Sequence, residues 1–284
     1  MPLSPARSTL QNLPLPAFTM TRDVREVEVW FTATDGQGCS VDDLSVGQVA
    51  VSDDGRPVGP LAYFSQGREF AVRVLLLIDG SDSMRRRFAS ARAAALAVRA
   101  SSTPKRAPEV FYFVGRNVYC ETGCAAPLHS HVRPQGETPL FDQLVALAGR
   151  MELPARQDVR NVVVLFSDGE DNFSRSDLEG VVQAFQQRNI AVYTISAHSR
   201  RLEFAGDRVL RRLAEATGGR AFFLSRYEDA APALAQIQSE LRTQYVLGFR
   251  PQDALPWSYH RLSVVATGRP DVRVNARAGY RVQP

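Results

Sequence analysis

From Val24 to about Phe70, apolar and polar positions alternate. Val27, Val29, Phe31 and Ala33 interleave with Glu26, Glu28, Trp30 and Thr32. A strand sends successive side chains to opposite faces, so this pattern predicts half-buried β-structure. "DGQG" at 35–38 and "DDGRP" at 53–57 are turn signals, and "GQVAVS" and "GPLAYFS" predict further short strands. After Ala71 the pattern changes. Apolar runs of strand length, Val74–Ile78, Val110–Val114, Val162–Phe166, Ile190–Ile195 and Ala221–Leu224, alternate with stretches of helical period. Met84, Phe88, Ala91 and Ala95 form one stripe, and Leu140, Phe141, Leu144, Ala148 and Met151 a second. Leu178, Val181, Val182 and Phe185 form a third behind a capping box, Ser176-x-x-Glu179. Val209, Leu210 and Leu213 form a fourth, closed by Gly218 and Gly219, and Leu234, Ile237 and Leu241 a fifth, with Pro232 in its first turn. "RNVYCE" after Gly115 predicts a short antiparallel edge strand.

Continuous apolar strands joined by helices predict a mostly parallel sheet covered on both faces. From Gln244 the period returns to two in "QYVLGFRP", "HRLSVVAT" and "DVRVNARAGYRV". In the last of these, Val272, Val274, Ala276, Ala278, Tyr280 and Val282 share one face and Arg273, Asn275, Arg277 and Arg281 the other. Neither flank alone holds much core, but six or seven strands together suffice for a small sandwich. The fold class is therefore α/β: a doubly wound, mostly parallel sheet flanked by helices, inserted in a small β-sandwich formed by the N- and C-terminal segments. The expected organisation is a flexible leader over 1–22, the first part of the sandwich over 23–71, the α/β domain over 72–243, and the second part of the sandwich over 244–284.

Composition changes this picture little. The 284 residues are enough for one large domain or two modest ones. Of 34 basic residues only Lys105 is a lysine, and the arginines are scattered and balanced by 30 acids, which speaks against a nucleic-acid surface. "MRRR" at 84–87 is read as a solvated helix face. No apolar run approaches the roughly 20 residues that span a bilayer, so no transmembrane segment is expected. The leader has four prolines and no continuous hydrophobic core, which makes a poor signal peptide; a trimmed or misplaced start would look the same. Three cysteines, Cys39, Cys120 and Cys124, are too few for a disulfide framework; Cys120 and Cys124 either bridge within "CETGC" or stay as thiols, and no catalytic role is expected for them. His129 and His131 read as a surface pair.

The chemistry lies where strands end. Doubly wound sheets bind ligands outside the carboxyl ends of their strands. "VLLLIDGSDSMRR" delivers Asp79, Ser81 and Ser83 there, "GETPLFDQL" puts Thr138 at the start of a helix, and "VVVLFSDGEDN" puts Asp168 just beyond another buried strand. Two carboxylates and three hydroxyls at one sheet edge suit Mg²⁺, a hard cation that takes six oxygens and often keeps waters. Ser81, Ser83 and Thr138 are read as direct ligands, with Asp79 and Asp168 acting through bound water. "DGEDN" lacks the twelve-residue spacing of a calcium loop, so Asp171 and Asn172 are expected to shape the loop instead.

"DGSDS", the Thr of "GETPLFD" and the Asp of "FSDGEDN" resemble the metal-ion-dependent adhesion site of von Willebrand factor A domains, over about residues 72–243. The flanks, "VSDDGRPVGPLAYFS" and "LRTQYVLGFRP…HRLSVVATGRPDVRVNARAGYRV", resemble the acidobacterial-type VWFA-related proteins, so the likeness takes in nearly all of the chain past residue 22. It implies a Rossmann-like fold, Mg²⁺ (or Mn²⁺) binding, and attachment to a protein partner through an Asp or Glu carboxylate, often in exported proteins. It names no ligand and no oligomeric state. Two positions depart from the common Asp-Thr-Ser-Gly-Ser form. Gly80 is a tolerated departure; Asp82 brings a carboxylate that either caps the following helix, the favoured reading, or stands behind the metal ligands. The function expected is a metal-dependent binding module rather than an enzyme. A metal-assisted hydrolase is the alternative, and a scaffold with a vestigial metal site the third. The hydrolase is disfavoured because the second Asp of an aspartyl-phosphate enzyme is replaced by Ser81, and neither a phosphate loop nor a nucleophile elbow occurs.

Overall fold

The computed structural model describes residues 26–67, 70–102, 107–124, 133–151, 159–198, 204–252 and 255–282. The leader 1–22 and the pair His129 and His131 lie outside them.

The α/β block runs β5 (Ala71–Asp79), α1 (Phe88–Ser101), β6 (Glu109–Val114), β7 (Asn117–Thr122), α2 (Leu140–Arg150), β8 (Val159–Phe166), α3 (Leu178–Gln187), β9 (Ala191–Ala197), α4 (Ala205–Thr217), β10 (Ala221–Leu224) and α5 (Ala231–Thr243). Its sheet has the order β10-β9-β8-β5-β6-β7. All pairings are parallel except β6 with β7, the expected edge strand. Strands β8 and β9 are buried along nearly their whole length, as strands covered on both faces must be. One face packs Met84, Phe88, Ala91 and Ala95 with Leu234, Ile237 and Leu241, so α1 and α5 share it. The other packs Leu140, Leu144, Val181, Phe185, Leu210 and Leu213, from α2, α3 and α4. Each fully buried aliphatic or aromatic side chain in these layers contributes about 1.5–3 kcal/mol. The helix ends follow local chemistry with one correction: α3 is capped by Asp177, whose carboxylate accepts from the Gly180 N–H, rather than by Ser176. Gly218 closes α4 in the left-handed conformation, as its position suggests.

The two ends of the chain build one sandwich. Strands β1 (Val27–Thr34), β2 (Val49–Asp53), β3 (Arg56–Pro57) and β4 (Tyr63–Gln66) precede the α/β block, and β11 (Tyr245–Phe249), β12 (Tyr259–Ala266), β13 (Arg273–Ala276) and β14 (Gly279–Arg281) follow it. One sheet is ordered β13-β1-β11-β4 and the other β14-β12-β2-β3, so each mixes strands from both ends. Between them lie Val29, Phe31, Tyr245, Leu247, Phe249, Leu262, Val264 and Tyr280. β12 alternates buried and exposed positions along its length, the period-two signature of a sheet wet on one side.

The run "DVRVNARAGYRV" departs from a single strand with an arginine-bearing outer face. It breaks after Ala276, so β13 joins one sheet and β14 the other. Arg277 sits at that corner and is buried. Its guanidinium donates to the carbonyls of Gln186 (3.1 Å) and Glu28 (2.6 Å), tying the sandwich to α3. The Ala278 N–H bonds the Ala216 carbonyl at 3.2 Å, and the Asn275 amide the Gly219 carbonyl at 2.9 Å. Arg160 lies over the Trp30 ring at 5.2 Å. Burial pulls both Arg160 and Arg277 down to about 10, still charged at neutral pH.

Candidate metal centre

Strand β5 ends on Asp79, which is completely buried. One carboxylate oxygen accepts from the Ser81 N–H at 2.9 Å and the other from the Ser167 hydroxyl at 2.7 Å. Burial raises the Asp79 carboxyl to about 6; the bonds from Ser167 and Ser81 oppose this, and the nearby Asp168 charge adds to it. A cation at the site reverses that balance. The hydroxyls of Ser81 and Ser83 meet at 3.0 Å.

The loop carrying Thr138 is stitched to the Asp79 loop by backbone bonds from Asp82 N to Gly136 O (3.1 Å) and Gln135 N to Gly80 O (3.2 Å). Thr138 is buried, and its hydroxyl oxygen has no hydrogen-bond partner among the described residues. A buried hydroxyl without a partner is costly, so its oxygen is available for a ligand.

Asp168, at the end of β8, is also buried. β5 and β8 are neighbours, with β6 on the other side of β5, so the chain switches direction across the sheet here. This is the crevice where doubly wound folds bind. The Asp168 segment also braces α2: Asp171 accepts from the Phe141 N–H at 2.7 Å, and Ser174 from the Asp142 N–H at 3.0 Å. Asp171 thus shapes the loop, as its spacing suggests, and fixes the helix behind Thr138.

Gly80 is more than tolerated. A Cβ there would lie 2.5 Å from the Phe113 carbonyl oxygen and 2.6 Å from a Val114 methyl, and the Gly80 N–H bonds that same carbonyl at 2.7 Å. Asp82 does not cap a helix. Helix α1 begins only at Phe88, after a turn, and the exposed Asp82 carboxylate pairs with Arg85 three residues on.

Three residues escaped the sequence reading. Ser167 holds Asp79. Arg87, assigned to a solvated face with the rest of "MRRR", instead reaches into the site and bonds Asp168 at 2.8 Å. His198 accepts from Arg87 through Nδ1 (3.2 Å), and its Nε2 faces Asp207 (3.0 Å) and Ser196 (2.8 Å). Neighbouring serine and arginine positions carry no periodic signal that separates inward from outward side chains, so only the fold reveals them.

A second cluster, Asp53, Asp54 and His260, lies on the sandwich. Its atoms already answer one another. Asp53 meets His260 Nδ1 (3.0 Å) and the Tyr280 hydroxyl (2.7 Å), Asp54 accepts from the Arg261 N–H (2.9 Å), and His260 Nε2 meets Ser258 (2.9 Å). It reads as a polar clamp joining β2, β12 and β14. Cys120 and Cys124 are joined in a disulfide at β7, and Cys39 is free and exposed. No helix among the described residues is long and apolar enough to cross a membrane.

Among solved structures, a von Willebrand factor type A protein from Catenulispora acidiphila is similar at 12% identity, with a TM-score of 0.49 over 89% of this chain and 73% of that one. The proximal thread matrix protein 1 from the mussel byssus, solved "with zinc occupied MIDAS motif", is similar at 15% identity, with a TM-score of 0.48 over 67% of this chain and 50% of that one. This chain therefore spans half the length of the mussel chain. The SpRpn10 VWA domain is similar at 12% identity, with a TM-score of 0.40 over 56% of this chain and 93% of that one. No curated protein matches the chain. Residues 130–240 match the family model of the von Willebrand factor type A domain, a span that takes in Thr138 and Asp168. With the strand order and helix layers described above, the α/β block, whose residues 130–240 carry that match, has the fold of a von Willebrand factor type A domain.

Proposed function

We propose that the chain is a metal-dependent protein-binding module. The hydroxyls of Ser81, Ser83 and Thr138 hold Mg²⁺ (or Mn²⁺), Asp79 and Asp168 act through bound water, and an Asp or Glu carboxylate of a partner protein completes the coordination. The observation that carries this reading is the Thr138 hydroxyl, buried with no partner on a loop bonded to the Asp79–Ser83 segment. Hydroxyl-rich ligation neutralises a hard divalent ion incompletely, which favours an anionic oxygen from outside. The metal when bound supplies a Lewis-acidic docking point; the chain's part is to fix the hydroxyls in place.

Isothermal titration with Mg²⁺ and Mn²⁺ tests it on wild type, Asp79→Ala and Thr138→Ala. Asp79→Ala should abolish binding, because it removes charge and the acceptor that orients Ser81. Thr138→Ala should weaken binding and leave the fold intact. Equal affinities in all three proteins overturn the site. Turnover of generic phosphoester or peptide substrates by the metal-loaded protein would favour the hydrolase, and partner binding that ignores chelator would favour the vestigial scaffold.

A further inference from the structure

Arg87, half-buried at the rim of the site, commits its guanidinium to four protein partners. One terminal nitrogen bonds the Ala197 carbonyl (2.9 Å) and His198 Nδ1 (3.2 Å). The other bonds the Ser83 carbonyl (2.9 Å) and an oxygen of Asp168 (2.8 Å). His198 is held in turn by Asp207 at the start of α4, whose second oxygen accepts from the Phe204 N–H at 3.0 Å. The guanidinium is thus locked from β9, from α4 through His198, and from the Ser83 turn. It is too fully engaged to grip a partner directly. What it can do is hold Asp168 and change the charge of the site.

We propose that Arg87 is a positioning residue that keeps Asp168 off the metal and makes the loaded site more positive than its carboxylates alone would leave it. This inference rests on the metal reading above. Asp79 and Asp168 together balance a divalent cation. Asp82 is paired with Arg85 at the surface and adds nothing. Arg87 then adds a positive charge directly beside Asp168, with the Asp207 carboxylate one residue further out behind His198, and a partner carboxylate offsets that charge. A neutral partner oxygen leaves it standing. Because one Asp168 oxygen is bound to Arg87, direct ligation by that oxygen would break a partly buried, charge-assisted bond. Arg87 thereby makes the metal bind less tightly and makes it prefer a carboxylate.

Mn²⁺ alone is the first probe and acetate the second. Water-proton relaxation counts the exchangeable waters on bound Mn²⁺, and titration gives the affinity. In Arg87→Met, Asp168 is released to ligate directly. The expected result is Mn²⁺ binding tighter by at least about tenfold, because a positive charge near the ion is gone. Relaxation enhancement should fall as a water is lost, and acetate should displace less of what remains. Arg87→Gln, which keeps one donor, should follow the same direction should the Met variant fail to fold. Arg87→Lys, which keeps the charge, should return affinity and hydration to near wild type. A role confined to folding would lower the melting temperature without moving the hydration number. If wild type binds Mn²⁺ and both uncharged variants match it in affinity, hydration and acetate response, the inference about Arg87 is wrong and the metal site stands. If wild type does not bind Mn²⁺, the metal reading falls and this inference falls with it.

Discussion

The tightest approach around the site is between backbones. A Cβ on Gly206, in the first turn of α4, would lie 1.9 Å from the Asp168 carbonyl oxygen and 3.1 Å from the Gly169 carbonyl carbon. Gly169 is itself in the left-handed region at φ 73°, and a Cβ there would meet the Gly206 carbonyl oxygen at 2.4 Å. The two segments therefore touch through paired glycines, and every near neighbour of a Cβ on Gly206 is backbone. Gly206→Ala must widen its contact from 1.9 Å to the 3.4 Å at which ordinary packing begins, a displacement of roughly 1.5 Å. Shared between α4 and the Asp168 loop, that still exceeds the roughly 0.2 Å within which metal–ligand distances are held. The expected cost is about 2–3 kcal/mol of stability, near the upper end for overpacking. At about 2–4 °C per kcal/mol for a protein of this size, the melting temperature should fall by roughly 4–12 °C. Metal affinity should drop by about 10- to 100-fold, the range for moving a group that orients ligands. Thermal unfolding in chelator isolates the first effect, and Mg²⁺ titration well below the melting temperature isolates the second. Gly149→Ala is the matched control. It is an exposed position near the end of α2 where a Cβ meets nothing within 4 Å, so it should stabilise by up to about 0.5–1 kcal/mol and leave metal affinity alone. Should Gly206→Ala behave like Gly149→Ala in both assays, the claim that backbone contact positions Asp168 is refuted.

Other expectations concern the frame. Removing residues 271–284 takes away β13, β14 and the buried Tyr280 and Val282, and should melt the sandwich before the α/β block; a single unchanged calorimetric transition would contradict this. Tyr280→Ala alone should cost about 3–5 kcal/mol, as for other large buried aromatics, measured by urea unfolding. Arg277→Met leaves the Glu28 and Gln186 carbonyls without their buried donor and should cost about 2–6 kcal/mol, at about 1–3 for each; a variant as stable as wild type would show that water replaces the guanidinium at no cost. Replacing Cys120 and Cys124 together by serine opens a very short loop and should cost only about 2 kcal/mol, with metal affinity unchanged.

Much of this could be read from the chain because two periodicities do most of the specifying. Strands buried on both faces stay apolar throughout, as Val162–Phe166 does, and the stripes of α1 to α5 are spaced for one face each. The candidate loops of Asp79 and Asp168 can be placed because acid and hydroxyl residues directly after such strands have only one edge of the sheet to occupy, and Thr138 because it opens a helix that returns from that edge. What periodicity misses is where the chain bends or reaches sideways. Arg277 alternates correctly with its neighbours and still turns inward, because the strand crosses from one sheet to the other at that residue. Arg87 belongs to a run of three arginines in a turn before α1, where no helical face yet exists to sort them. Gly80 looked like a neutral departure because the Phe113 carbonyl that forbids a side chain comes from the next strand.

The pairing of β1 with β11 also sets a schedule for synthesis. Phe31 lies opposite Tyr245 in the finished sheet. On a ribosome adding 5–20 residues per second, roughly 180 residues must emerge after β4 before β11 exists, a wait of about 9–36 s. For that time β1 and β4 lack β11 between them and β2 lacks its partner β12, and their apolar faces and open edges are exposed to other nascent chains. The α/β block, complete in sequence before β11 appears, can fold first and bring its two ends together, so that closing the sandwich becomes a short-range step. The inserted domain is then the device that delivers the last strands to the first, and a lesion that slows its folding prolongs the vulnerable interval of a sandwich it does not belong to.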